Sequence, residues 1–218
     1  MEICIRPSGQ VQVYAPGSFT IRTIEGFLKG RAQWIVEKAK TLRDQEDLRL
    51  RQNPGCLYLG KSYPVRCHLS QEKWGRIIFD EYGWDIQIAQ SVQASICEKY
   101  SKDFLQKWFK GRAKIILNER VAHYARLMGE HPADIRVRSP KRLWGSCHPV
   151  KRVLHFNWKI VMAPLAVIDY VVVHELSHIQ VPNHSERFWA RVKNFSSAYK
   201  SHQDWLKQNS YQFVLTLG

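Results

Sequence analysis

At 218 residues the chain is long enough to bury a core without disulfides, and 33 Lys and Arg against 19 Asp and Glu leave a net charge of +14. The five cysteines, Cys4, Cys56, Cys67, Cys97 and Cys147, are scattered and form no C-x-x-C pair, which argues against a disulfide framework and against a thiolate zinc knuckle. Met1 to Pro7 lacks the apolar core of a signal peptide and no stretch reaches membrane-spanning length, so a cytoplasmic protein with no membrane partner is expected.

Ile3 to Tyr14 alternates apolar and polar residues around Ser8-Gly9, the pattern of a hairpin with Val11 and Val13 on one face. Ile24, Phe27, Leu28, Trp34, Ile35 and Ala39 recur at helical spacing, and the charged stretch from Arg43 to Arg51 reads as a solvated helix end or a linker. Leu57 to Arg66 and Arg76 to Phe79 read as strands, so the first ninety or so residues are expected to be β-rich with one or two helices. From Ala89 to Met128 the pattern is helical, with Phe104, Trp108, Ile115, Val121, Ala125 and Met128 as core positions and Pro132 as the stop. Ile135 to Arg138, Leu143 to Cys147 and Val153 to Phe156 read as short strands.

An apolar run from Ala166 to Val173, opened by Pro164 as a first helical residue, leads into His174-Glu175-Leu176-Ser177-His178. On a helix, positions four apart share a face roughly 5–6 Å from one another, so His174 and His178 can hold one tetrahedral Zn²⁺. Glu175 then adjoins the metal and is free to take a proton from a bound water whose pKa the ion lowers to about 7. A catalytic zinc needs a third protein ligand, and His184 is the candidate: Pro182 should stop the helix after Gln180 and let the chain turn back. Asn183 with Glu186 has the spacing of a capping box, which would set His184 in the first turn of a new helix through Phe188, Trp189, Val192 and Phe195. Glu186 and Asp204 are rival ligands, and His184 could instead be an exposed cap residue. The spacing equals that of the metzincins, but Val181 stands where their glycine is expected and no methionine follows the site, so no Met-turn can form.

The motifs around this helix carry a resemblance. Arg138-Ser139-Pro140-Lys141-Arg142-Leu143-Trp144-Gly145-Ser146-Cys147, then Phe156-Asn157-Trp158, Ala163-Pro164, Val167 to His178, and Asn183-His184-Ser185 with Phe188-Trp189 resemble the YgjP-like metallopeptidase domain, a relative of the SprT-like zincins. The strong likeness covers residues 135–209. It implies an α+β zincin-like fold, and the order of strands and helices along the chain divides it into a β-rich amino-terminal unit over residues 1–88 and a helical catalytic domain with a short sheet over 89–218. The resemblance also maps His174, His178 and His184 onto metal ligands and Glu175 onto the catalytic acid/base. The sequence departs from the family in the turn after Cys147, where His148-Pro149-Val150-Lys151-Arg152 replaces a small or glycine-containing turn.

The charge is uneven: residues 1–100 hold 14 Lys and Arg against 11 Asp and Glu, whereas residues 101–218 hold 19 against 8. Lys107, Lys110, Arg112, Lys114, Arg136, Arg138, Lys141, Arg142, Lys151 and Arg152 could form a surface for a polyanion, so nucleic acid is a candidate partner. Three functions fit these features. The first is a zinc peptidase acting on peptide or protein, with Glu175 activating the water. The second is a metal-dependent nucleotide pyrophosphohydrolase, an activity associated with some YgjP-like relatives. The third is a non-catalytic nucleic-acid-binding protein with a structural zinc; Glu175, which such a site would not need, favours an enzyme. Tyr170 and Trp144 are expected to pack, Cys147 to fill a buried small-residue position, and Arg138 or Arg142 to be either anion-stabilising or surface charges. Asp169 is poorly spaced to orient His174.

Overall fold

In the computed structural model, residues 1–5, 11–52, 55–140, 143–215 and 217 are described. The chain forms two compact units, Met1–Asn53 and Pro54–Gly218. In the first, β1 (Glu2–Ile5) pairs antiparallel with β2 (Val11–Tyr14), Ile3 facing Val13. The expected Ser8-Gly9 turn lies outside the described residues. Of the one or two helices expected in this region there are two, α1 (Ile21–Lys29) and α2 (Ala32–Gln52). Thr20 starts α1 by accepting the Thr23 N–H on its Oγ1 at 3.2 Å, and Gly30 ends it. The charged stretch from Arg43 is the continuation of α2, not a linker.

The second unit opens with a hairpin of β3 (Cys56–Tyr58) and β4 (Lys61–Tyr63), turned by Leu59 and Gly60 at φ of 50° and 79°. The turn's N–H groups donate to Val161 O at 2.8 Å and Met162 O at 3.1 Å, which ties the hairpin to a 3₁₀ turn at Trp158–Met162. A three-stranded sheet comes next, in the order β5 (Val65–Ser70), β7 (Gly83–Ala89), β6 (Arg76–Asp80); β5 is parallel to β7 and β6 antiparallel to it. Seven of the ten described strands thus precede residue 90, in keeping with a β-rich amino-terminal part. The compact units nevertheless divide at 53/54, not at the expected 88/89. Trp84 of β7 packs at a tilt against Phe109 at 5.2 Å and Phe109 against Trp158 at 5.9 Å, an aromatic chain that joins residues 55–88 to the rest of the unit.

That chain runs through α3 (Ala94–Met128), which buries Leu105, Phe109, Ala113, Leu117, Val121, Ala125 and Met128 along one stripe. The stripe corrects the expected core: Ile115 is 47% exposed and Phe104 and Trp108 are only partly buried, because the buried face is centred one position along. Gly129, at φ 67°, caps α3 before Pro132 is reached. A second three-stranded sheet has the order β8 (Asp134–Arg138), β10 (Val153–Asn157), β9 (Gly145–His148), with β8 parallel and β9 antiparallel to β10. In the turn between β9 and β10, Arg152 takes φ 51°, the conformation that a glycine would adopt most readily there.

Three helices complete the unit: α4 (Leu165–Ser177), α5 (Glu186–Phe195) and α6 (Tyr199–Asn209). The α4 helix buries nine residues on all sides, Pro164 being its N-cap and not its first helical residue. It is locked to α3 by Asp169, which accepts from Arg120 Nε at 2.5 Å and Nη2 at 2.8 Å and from Tyr124 Oη at 3.3 Å. Asp169 therefore positions the helix as a whole and does not orient His174. Among the described residues, no helix is long and apolar enough to cross a membrane.

Candidate metal centre

Because α4 is anchored on both sides, its carboxyl end presents His174 and Glu175 at a fixed height against β9. The helix ends at Ser177, three residues before the expected stop, and His178 is its C-cap. A tight turn comes after it, with Val181 N–H on Ser177 O at 3.0 Å, and brings the Val181 carbonyl to 3.1 Å from His178 Nδ1. A carbonyl can only accept, so Nδ1 carries the proton and Nε2 of the neutral ring keeps its lone pair for a metal. His184 lies before α5, whose N-cap is Ser185; the expected capping box and first-turn position for His184 do not form.

The three imidazoles converge through Nε2, 3.2 Å from His178 to His174 and 3.1 Å from His184 to His174. Two nitrogens each about 2.0–2.1 Å from a tetrahedral ion stand about 3.3 Å apart, so the cluster fits one ion with little adjustment. Among the described residues these three histidines are the group able to hold a metal; neither Glu186 nor Asp204 joins them, and Asp204 pairs instead with Lys207 at 3.3 Å. Aromatic packing fixes the rings. Phe188 stacks on His178 at 4.4 Å, Trp189 stacks on His184 at 5.6 Å, and Tyr199 backs Trp189 at 5.3 Å. The spacing of Phe188 and Trp189 behind His184 thus has a physical meaning that the sequence alone does not reveal.

Burial and the two neighbouring imidazoles hold His174 down to about 3, and burial also lowers His178, so both rings are neutral and ligand-competent at neutral pH. Glu175 is buried, and burial pushes its carboxyl up to about 8. A dication beside it would act in the opposite sense and favour the carboxylate. A methyl at Gly145 would stand 2.6 Å from Glu175 Cγ and Oε1, so the Glu175 side chain occupies space that only a glycine on β9 leaves open. Gly145 belongs to the family-like motif, but nothing in the sequence assigns it this role. Next to it, burial with Glu175 and Glu130 nearby pushes the Cys147 thiol up to about 12, which keeps it protonated and unreactive.

Beside His174 and Glu175 opens a cavity of about 370 Å³, lined by Trp144, Tyr170, Val171 and Leu206 with Lys207 also contributing. Burial, followed by the charge of Glu175, raises the Tyr170 phenol to about 12, so it remains a hydroxyl facing this space. Arg138 is not at this site; it lines a separate groove with Lys110, Lys114 and Arg136. Arg142 and Lys141 lie outside the described residues.

Behind the cluster, Glu130 has a fully buried carboxylate that accepts from Arg191 Nη2 at 2.6 Å and Arg152 Nη2 at 3.2 Å. Arg191 belongs to α5, and its Nη2 also reaches Met128 O at 3.2 Å. The pairings fasten the helix that comes after His184 to the end of α3 and to the β9–β10 turn.

Three converging imidazoles, with a buried carboxylate on the helix that carries the first of them, define a site of the metal-dependent hydrolase class. The chain belongs to the YgjP-like family, metallopeptidase domain, which matches residues 1–209. Among solved structures, the crystal structure of the metallopeptidase zymogen of Pyrococcus abyssi abylysin is similar at 18% identity and a TM-score of 0.39, over 42% of this chain and 92% of that one. A comparison with curated proteins finds no match.

Proposed function

We propose that this protein is a zinc-dependent metallopeptidase in which His174, His178 and His184 hold the ion and Glu175 is the general base and acid. The observation that carries this reading is the convergence of three imidazole Nε2 atoms, with Glu175 beside His174 in the wall of the same cavity. Three nitrogen ligands suit zinc and leave a fourth position for water, where a bound zinc would supply Lewis acidity and acidify that water. Glu175 takes the proton of the attacking water and returns it to the leaving amine. Phe188 and Trp189 keep the imidazoles in place while it does so.

Two features support a peptide as substrate. Gly145 lies on β9, an edge strand of its sheet, and an extended peptide can add to such an edge by backbone hydrogen bonds. The cavity beside Glu175 has an apolar wall of Trp144, Tyr170, Val171 and Leu206 beside the polar Gln203, Lys207 and Ser210, and that wall suits an apolar side chain next to the scissile bond. Hydrolysis of a nucleoside triphosphate calls instead for cations about the phosphates, and Lys207, the cation lining the cavity, is paired with Asp204. A labelled peptide library and a nucleoside triphosphate panel, run on the same preparation, test the assignment. Peptide cleavage that stops on chelation, returns with zinc and is absent in Glu175→Gln is the expected result. Turnover of nucleotides alone, or peptide cleavage indifferent to Glu175→Gln, would overturn it.

A further inference from the structure

A second surface of the larger unit is shaped for a different ligand. A stripe of α3 that flanks its buried face carries Lys99, Lys107, Lys110 and Lys114, all exposed. From Lys99 to Lys114 the stripe is about 23 Å long at 1.5 Å per residue. Its far end runs into a groove of about 460 Å³ in which Lys110 and Lys114 face Arg136 and Arg138, the outward residues of edge strand β8. Its near end holds a depression of about 300 Å³ lined by Lys99, Tyr100 and Lys107 together with Ile96 and Phe104. Tyr100 is 44% exposed there.

Few carboxylates answer these charges. Asp134 pairs with Arg136 at 2.6 Å, Asp103 lines the near depression, and Glu98 is engaged by Lys102. Among the described residues no carboxylate pairs with Lys99, Lys107, Lys110, Lys114 or Arg138. Lys110 donates only to Gln106 Oε1, at 3.4 Å. Beneath the groove, His155 is held below its ordinary value by burial and then by Arg136 and Arg138, which is what a locally positive field does to a neighbouring base.

We propose that this track binds the backbone of a single-stranded nucleic acid, with Tyr100 as a stacking platform at one end. The track is longer than a free phosphate or a mononucleotide can engage, and its cations line recessed grooves that track a chain better than they match a flat lipid surface. An exposed aromatic interleaved with lysines adds the sequence-tolerant contact that single strands use. This surface is independent of the metal chemistry.

Fluorescence anisotropy of a labelled 20-nucleotide oligo-dT with the full-length protein tests the proposal. With about four phosphates neutralised, affinity should fall roughly fifty-fold between 50 and 200 mM salt. Lys110→Glu/Lys114→Glu/Arg138→Glu should lose at least the same factor at 50 mM salt while retaining its metal, and Tyr100→Ala should bind about tenfold more weakly. If the triple variant does not fold, Lys110→Glu and Arg138→Glu must each weaken binding on their own. Wild-type affinity weaker than about 100 µM at 50 mM salt, binding indifferent to salt or to the charge reversals, or uptake by phosphatidylserine vesicles without oligonucleotide binding would each overturn it.

Discussion

Gly145→Ala is expected to cut peptide turnover at least a hundredfold while the protein keeps its metal and its fold. The added methyl would stand 2.6 Å from Glu175 Cγ and Oε1 and 2.8 Å from Cδ. Glu175 is only 5% exposed, so its carboxyl has little room to step aside without leaving the position from which it exchanges a proton. Misplacing a catalytic group by about 1 Å can cost on the order of a hundredfold, and losing general acid–base help altogether about 10²–10⁴-fold. The three atoms nearest the methyl all belong to Glu175, so metal content should match the wild type. The double variant Gly145→Ala/Glu175→Gln should be no slower than Glu175→Gln alone, because both changes remove one function. If Gly145→Ala turned over at the wild-type rate, or if the two changes multiplied, the contact would have no catalytic meaning.

The largest effect on stability is expected at Glu130. Its carboxylate is fully buried between Arg191 and Arg152, and removing one partner of a buried ion pair costs about 3–5 kcal/mol because a charge is left without its counterion. For a chain of this size that corresponds to a fall in Tm of roughly 6–20 °C. Glu130→Ala leaves Arg191, which is itself 18% exposed, facing the vacated space. Glu130→Gln retains an acceptor but not the charge and should fall between the wild type and Glu130→Ala. Thermal unfolding of the three proteins checks this order. A Glu130→Ala protein within about 1 kcal/mol of wild type would show that the two arginines find solvent at no cost.

What was legible in the sequence was what depends on local spacing. His174, Glu175 and His178 could be read because four residues make a helical turn, and His184 because a proline bars the helix from continuing past it. The hairpin of β1 and β2 was readable from alternation in the same way. The support of the site was less legible, since it depends on residues far apart in sequence. Gly145 meets Glu175 across thirty positions, Glu130 meets Arg191 across sixty-one, and neither encounter leaves a periodic trace. Packing across a distance also moved the unit boundary, because Trp84 docks on Phe109 whatever the composition between them suggests. On α3, apolar residues occur on three sides of a long helix, so spacing alone favoured Ile115, whereas packing in the folded unit selects Ala113 and Leu117. The positive charge was countable from the outset. Its arrangement as a track required α3 and β8 to lie side by side.

If three histidines hold a metal that Glu175 serves without binding, metal content must depend on the histidines and not on the carboxylate. Elemental analysis of protein purified without a histidine tag, beside His184→Ala and Glu175→Gln, tests this most directly. One zinc per chain is expected in the wild type and in Glu175→Gln, with zinc lost or weakened in His184→Ala. A zinc content untouched by His184→Ala, or lost in Glu175→Gln, would contradict it.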